Sequence, residues 1–334
     1  MIDSLEQLVS RIVSREEDRR RKALELRREH PDFFRRVSPV EVSGRFGAVD
    51  GGLLSEEYQG FELVVVRAVG VRYTYRSGRL VGVDYYPSPV PDPRMFTYDM
   101  PVEEENVGPL RSLTRLLVEI ETALGFVREM DLDFLFLDGS ILPQLVDKPR
   151  GGGNGVVELY ETVLDRYRQL YSECSGRGVV LAGIVKDSKG NRVSSYLGGP
   201  HLRDSVWLRH AMEVGEMTVP IPYADRPGDQ ATLKDIGEDI AGRVWVFYLK
   251  ASEYDRPFRV EFYAESPEVG ERIASLLLPL SSVNRTYTIP PFLLEADIRA
   301  RLARRSLAYI REYLEKRLGI EYNLFRMRGS NKPF

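Results

Sequence analysis

Apolar and polar positions along the chain follow two periods that change over repeatedly. Residues 3–30 place Leu5, Leu8 and Ile12 at helical spacing until the charged run from Arg15 to Lys22 dilutes the stripe, so a charged helix is expected, closed by His30-Pro31. Residues 45–50 (RFGAVD) form an apolar strand that runs into Asp50 and two glycines. The β-branched stretch 61–75 (FELVVVRAVGVRYTY), the turn 76–79 (RSGR) and the return 80–86 complete three sequential, antiparallel strands. Pro87, Pro89, Pro91, Pro93, Pro101 and Pro109 mark a long surface excursion over 87–109. An amphipathic helix over 110–130 leads to a second apolar strand, 133–138 (DFLFLD), which also ends in Asp-Gly. A flexible 149–155 (PRGGGNG), a helix over 157–174 and a buried strand over 178–186 (GVVLAGIVK) follow. The remainder reads as a short helix over 201–212, strands over 244–250 and 258–264, and closing helices over 267–280 and 292–318. Strands and helices interleave with no break in composition, which predicts one α/β domain with insertions.

Composition bounds the function. With 334 residues and 43% hydrophobic positions the chain can bury a sizeable core, which excludes disorder as its main state. Its 47 Lys and Arg against 50 Asp and Glu give a net charge of -3, so it is not basic all over, and nucleic-acid binding would need local basic patches. The single cysteine, Cys174, and the three histidines, His30, His201 and His210, exclude an internal disulfide and a zinc-type Cys/His cluster. No apolar run suits a signal peptide or a membrane span, which predicts a cytoplasmic protein in a reducing compartment. Arg supplies 39 of the 47 basic residues, which suits bidentate phosphate contacts as well as ion-pair networks.

The informative acids lie where acids are costly. Asp50 follows Phe46-Gly-Ala-Val49 and Asp138 follows Phe134-Leu-Phe-Leu137, so both are expected at the mouths of strands apolar enough to be buried on both faces. On neighbouring strands they would repel, and a hard cation such as Mg²⁺ or Mn²⁺ between them removes that cost. The glycine after each Asp would permit a sharp turn. On the helix between them Leu113, Leu116, Leu117, Ile120, Leu124 and Val127 form the apolar stripe; Glu121 lies at its border and Glu119 on the other side, near Arg115 and Thr122. Glu121 is thus the favoured inward acid, with Glu119 the alternative. On the last helix Asp297 flanks the stripe of Leu293, Ala296, Ala300, Leu307 and Leu314, while Glu295 points away. Arg301, Arg304 and Arg311 follow Asp297 at helical spacings, and the row could hold phosphate or simply pair with Asp297.

The order of strand Asp, meander, helix Glu, strand-end Asp and C-terminal helix Asp resembles the ribonuclease H-like fold, in which carboxylates gather two cations around a phosphodiester. More specifically, the chain resembles the NurA nuclease family, the partners of the HerA translocase. The motifs that carry the resemblance are Ala48-Val-Asp50-Gly-Gly, the Glu-bearing helix leading to Phe136-Leu-Asp138-Gly-Ser140, Gly183-Ile-Val-Lys186, Phe258-Arg-Val-Glu-Phe262 and Pro291-Phe-Leu-Leu-Glu-Ala-Asp297. The resemblance implies an α/β, ribonuclease H-like mixed sheet flanked by helices, with an N-terminal helical extension over 1–40, a nuclease domain over 41–320 and a tail over 321–334. It implies a Mn²⁺- or Mg²⁺-dependent enzyme, with two ions per active site, that digests DNA 5′ to 3′ and cuts single strands. Such a protein would be a homodimer working on single-stranded DNA and duplex ends in end resection and break repair with a hexameric HerA-type ATPase.

Carried across residue by residue, Asp50, Glu121 and Asp138 match the acidic triad of that family, and Asp297 stands where many members carry His. Lys186 matches a basic position beside the scissile phosphate, and Arg301 and Arg304 would neutralise phosphate. Two rival functions are a non-catalytic adaptor of a ring-shaped DNA motor and a structure-specific junction endonuclease of the same fold. Other chemistries are disfavoured: the glycines at 151, 152, 153 and 155 lack the Lys-Ser/Thr of a phosphate loop, and neither His201 nor His210 sits beside a nucleophile elbow. Tyr167 and Tyr171 could stack bases, but their helical spacing also suits packing.

Overall fold

The apolar runs pair edge to edge. The structure, a computed structural model, describes residues 2–99, 102–151, 155–198, 202–224 and 231–327. Its elements in chain order are α1 (Ile2–Glu29), β1 (Phe34–Arg36), β2 (Gly44–Glu57), β3 (Phe61–Arg76), β4 (Arg79–Tyr86), β5 (Arg94–Asp99), α2 (Glu104–Glu129) and β6 (Phe134–Asp138). They continue with α3 (Val156–Arg177), β7 (Val180–Val185), α4 (Arg192–Tyr196), α5 (Asp204–Ala211), β8 (Glu216–Thr218), β9 (Ile221–Pro222), α6 (Ala231–Ile236) and α7 (Glu238–Ala241). The last are β10 (Val244–Lys250), β11 (Phe258–Tyr263), α8 (Val269–Ser281), α9 (Pro291–Ala300), α10 (Arg304–Leu318) and α11 (Ile320–Phe325).

The strands form one mixed sheet in the order β1-β8-β10-β11-β7-β6-β2-β3-β4, with β5 on β3 and β9 on β10. β2, β6 and β7 run parallel, and β2, β3 and β4 form an antiparallel meander. The stretch β4-β3-β2-β6-β7 with these directions is the ribonuclease H-like core, and β11, β10, β8 and β1 extend it. Helices cover both faces. One core gathers α2, α3 and α5 over β6 and β7, and the other gathers α8 and α9. On the second face Phe292 of α9 stacks on Phe46 and Phe136, with ring centroids 6.0 and 5.2 Å apart, which seats α9 across β2 and β6. Among the described residues no helix is long and apolar enough to cross a membrane.

Three of the elements predicted from the sequence take a different course. β2 does not turn at Gly51-Gly52 but pairs with β3 as far as Glu57, because β3 offers a matching edge along its whole length. The proline excursion carries β5, paired with β3, and α2 begins at Glu104 with Pro109 inside it. There Pro109 sits early in the helix, where the missing N–H costs one intrahelical bond. The closing helix breaks at residues 301–303 into α9 and α10, where Leu302 turns into a small apolar cluster with Tyr58, Leu63, Val65 and Leu307. His201, Pro101 and the glycines 152 and 153 lie outside the described residues.

Candidate active site

The parallel pairing of β2 with β6, which sets Val49 beside Leu137, brings Asp50 and Asp138 to adjacent positions. Asp50 lies within β2 rather than at its end, and it is 8% exposed. Its Oδ1 accepts the Gly51 N–H at 2.7 Å, and among the described residues it has no ion-pair partner. Asp138 ends β6, and Gly139 after it adopts φ +130°, so here the glycine does permit the turn expected of it.

The glycines after Asp50 serve a different purpose. A Cβ on Gly51 would lie 2.5 Å from the Glu119 carboxylate, and one on Gly52 would lie 2.3 Å from the carbonyl oxygen of Ala300. Their absent side chains therefore admit Glu119 from α2 on one side and the end of α9 on the other. That second approach carries Asp297 and Arg301 to the site. One cleft of about 370 Å³ is lined by Asp50, Asp138, Lys186, Asp297, Arg301 and Arg115, with Glu119 beneath Gly51.

Glu121, the favoured helix acid, is not part of it. It pairs with Arg94 of β5 at 2.5 Å and Arg166 of α3 at 3.4 Å. Glu119, the alternative, is the inward residue. The single stripe assumed for α2 was too narrow: the helix is wedged between α3 and the sheet, and Val118 packs on Val64, Val66 and Ala68 of β3. That second buried face takes Glu119 with it. The break before α10 likewise scatters the arginine row. Arg301 stays in the cleft, its Nη2 2.8 Å from Asp297 Oδ2, whereas Arg311 binds Glu56 at 2.7 Å and Arg304 does not line the cleft.

The acids are mutually costly. Burial, then the charges of Asp138 and Glu119, push the Asp50 carboxyl up to about 8. Burial raises Glu119 to about 7 although the Arg115 guanidinium, which it binds, pulls it down. Lys186 donates from Nζ to Asp138 Oδ2 at 2.6 Å; burial alone would lower its ammonium, and the Asp138 charge raises it instead. Asp138 and Glu119 thus have one basic partner each, and among the described residues Asp50 has none.

Among the described residues no three acid, His or Cys side chains already form a ligand cage. The donor set is nevertheless all hard oxygen, and a buried Asp50 without a cationic partner between two further acids is what a divalent ion would satisfy. Asp50, Asp138 and Glu119 are thus the residues that could hold a hard metal, with Asp297 at the rim.

Two partners complete the surroundings of these acids, the first already beside Glu119 on the helical wheel and the second not read from the sequence. Arg115 lies four residues before Glu119, one helical turn away, and that spacing was the available signal. Glu261 of β11 is fully buried and accepts from Ser140 Oγ at 2.5 Å and Ile141 N at 3.1 Å, which holds the loop that follows Asp138. Its signal was the alternation of charged Arg259 and Glu261 within an otherwise apolar strand. Tyr167 and Tyr171 are packing residues, each 1% exposed.

Comparison with known proteins agrees with the fold. The NurA domain family model matches residues 44–310. The NurA nuclease from Sulfolobus solfataricus superposes with a TM-score of 0.65 at 15% identity, over 95% of this chain and 96% of that one. A NurA structure with manganese gives 0.61 at 12% identity, over 94% of this chain and 98% of that one. One bound to dAMP and manganese gives 0.60 at 11%, over 95% and 97%. No curated protein matches by sequence. With the family model spanning most of the sequence and the fold shared end to end, the chain belongs to the NurA nuclease family.

Proposed function

We propose that this protein is a divalent-metal-dependent DNA nuclease whose active site is the cleft between β2, β6 and the end of α9. The observation that carries the reading is the buried Asp50, without an ion-pair partner among the described residues, set beside Asp138 and Glu119 in the cleft that Lys186 and Arg301 also line. Manganese in the related structures supports the choice of metal. Asp50, Asp138 and Glu119 would hold two Mn²⁺ or Mg²⁺ ions, Asp297 completing the second position. Bound there, the ions would supply Lewis-acid polarisation of the phosphodiester and a nucleophile available at neutral pH.

The chain's own residues prepare the reaction. Arg115 orients the Glu119 carboxylate from below. Lys186, held by Asp138, presents its ammonium to the cleft where a phosphate oxygen would gain charge. Arg301, more exposed than Asp297, can leave that pair to meet the DNA backbone. Arg304 would act at most outside the cleft, and Glu121 has no part in the chemistry.

In the fuller reading the protein is a cytoplasmic homodimer that digests DNA ends 5′ to 3′, cuts single strands, and resects breaks with a HerA-type hexameric translocase. The exposed row Leu5, Leu8, Val9, Ile12 and Val13 on α1 is apolar surface that a second copy would cover. The test is digestion of end-labelled single-stranded and duplex DNA with Mn²⁺, Mg²⁺ or EDTA. The reading expects cleavage with metal only, and products that shorten from the 5′ end. Absence of metal-dependent cleavage under all these conditions would favour the adaptor, and cleavage confined to junctions would favour the structure-specific endonuclease.

A further inference from the structure

Beside the cleft, past the ends of β6 and β7, lies a second and larger cavity of about 580 Å³, within the size range of small-molecule sites. The two share their wall: Asp138 and Lys186 line the cleft, and Ser140 and Asp187 line the cavity. Lys189 and Arg192 give it positive charge, Arg259 being paired with Glu261, and the acid that lines it among the described residues, Asp187, is paired with Arg256 at 2.8 Å. Ser188, Asn191 and Ser195 add neutral polar groups.

Two further observations point to an occupant. Arg259 is 4% exposed, and although its other nitrogens reach Glu261 and Ser188, its Nε is buried without an acceptor. A buried donor left unmet is costly, and the guanidinium that carries it belongs to a residue that lines the cavity. Tyr196, at the end of α4, stacks on Phe33 with centroids 6.1 Å apart and is 52% exposed, so its ring is held from one side and open on the other. An aromatic face beside cationic side chains is the arrangement that takes a nucleobase and its phosphate.

We infer that this cavity is a nucleotide subsite for single-stranded DNA. It would hold the nucleotide next to the one whose phosphate lies at Asp50 and Asp138, its phosphate toward Lys189 and Arg259 and its base on Tyr196. Arg192, which lies 3.9 Å from the centre of the Tyr223 ring and donates to the Tyr223 carbonyl, walls the other side. The inference deepens the nuclease reading and rests on it for the identity of the strand.

The experiment is a fluorescence-anisotropy titration of labelled oligo(dT) in EDTA, over a series of salt concentrations, with the wild type and with Lys189→Ala/Tyr196→Ala. Both side chains are exposed, so folding should survive, and circular dichroism checks it. The expected result is at least about tenfold weaker binding by the double variant and a salt slope lower by about one. Equal affinity and slope, or no binding by the wild type, would overturn the subsite. Binding in EDTA and cleavage in Mn²⁺ fail separately: a wild type that binds oligo(dT) through these residues yet never cleaves would end the nuclease reading alone.

Discussion

At the scale of single residues, Glu119 and Glu121 are two positions apart on one helix and have opposite fates. Glu119→Gln is expected to lower Mn²⁺-dependent cleavage by at least about a hundredfold, a loss of several kcal/mol of transition-state stabilisation. Glu121→Ala breaks two partly exposed ion pairs, so it should keep cleavage within about twofold and cost no more than about 1 kcal/mol in a urea melt. The reverse ranking would place the helix ligand wrongly. Gly51→Ala tests the space made for Glu119: overpacking there should cost about 1–3 kcal/mol and most of the activity. Asp50 and Asp138 stand out in the sequence through the apolar runs before them, because an acid at the end of such a run needs a reason, and the pairing of β2 with β6 sets them at adjacent positions. It could not separate Glu119 from Glu121, since the wheel assumes one buried stripe and α2 has two neighbours. Nor did it tell a glycine at a turn, such as Gly139, from glycines that admit a neighbour, such as Gly51 and Gly52.

At the scale of elements, the strands were legible and the ends of helices were not. Runs such as residues 61–75 state their pairing in their own composition, whereas the break between α9 and α10 contains neither Gly nor Pro and follows from where Leu302 packs. The attachment of α1 was equally hidden. Besides the buried Ala23 and Leu26 and the pair of Glu16 with Arg209 of α5, it rests on Arg27, which meets Glu216 of β8 bidentately at 2.7 and 2.8 Å. Burial pushes the Glu216 carboxyl up, but the hydrogen bonds from Arg27 and from the Glu213 N–H outweigh it and hold the carboxyl below its usual 4.5. A lowered carboxyl stabilises the folded form above the unfolded value and loses that contribution as pH falls through the lowered one. Acidification below the usual 4.5, through the lowered folded-state value, should therefore loosen α1. Hydrogen exchange of the α1 amides would report it, and unchanged protection relative to the central strands would contradict it.

At the scale of the whole molecule, the sheet order is what makes a site of scattered residues. β2 and β6 are far apart in sequence and adjacent in space, and α9 crosses them because Phe292 stacks on their aromatic side chains. The net charge of -3 first argues against a nucleic-acid enzyme. The fold answers this by gathering acids where a metal would cancel them and by leaving Lys186, Arg301, Lys189 and Arg192 along the neighbouring openings. Under the proposed function contact with DNA would be local, and cleavage under subsaturating DNA should fall steeply as salt rises from about 50 to 200 mM. Activity indifferent to salt would count against it. The central claim is that Asp50 holds the metal. Electron paramagnetic resonance titration of Mn²⁺ into the wild type and Asp50→Asn tests it most directly, since the substitution keeps the shape of the side chain. The account predicts that Mn²⁺ binding weakens at least about tenfold in the variant; equal binding by the two proteins would contradict it.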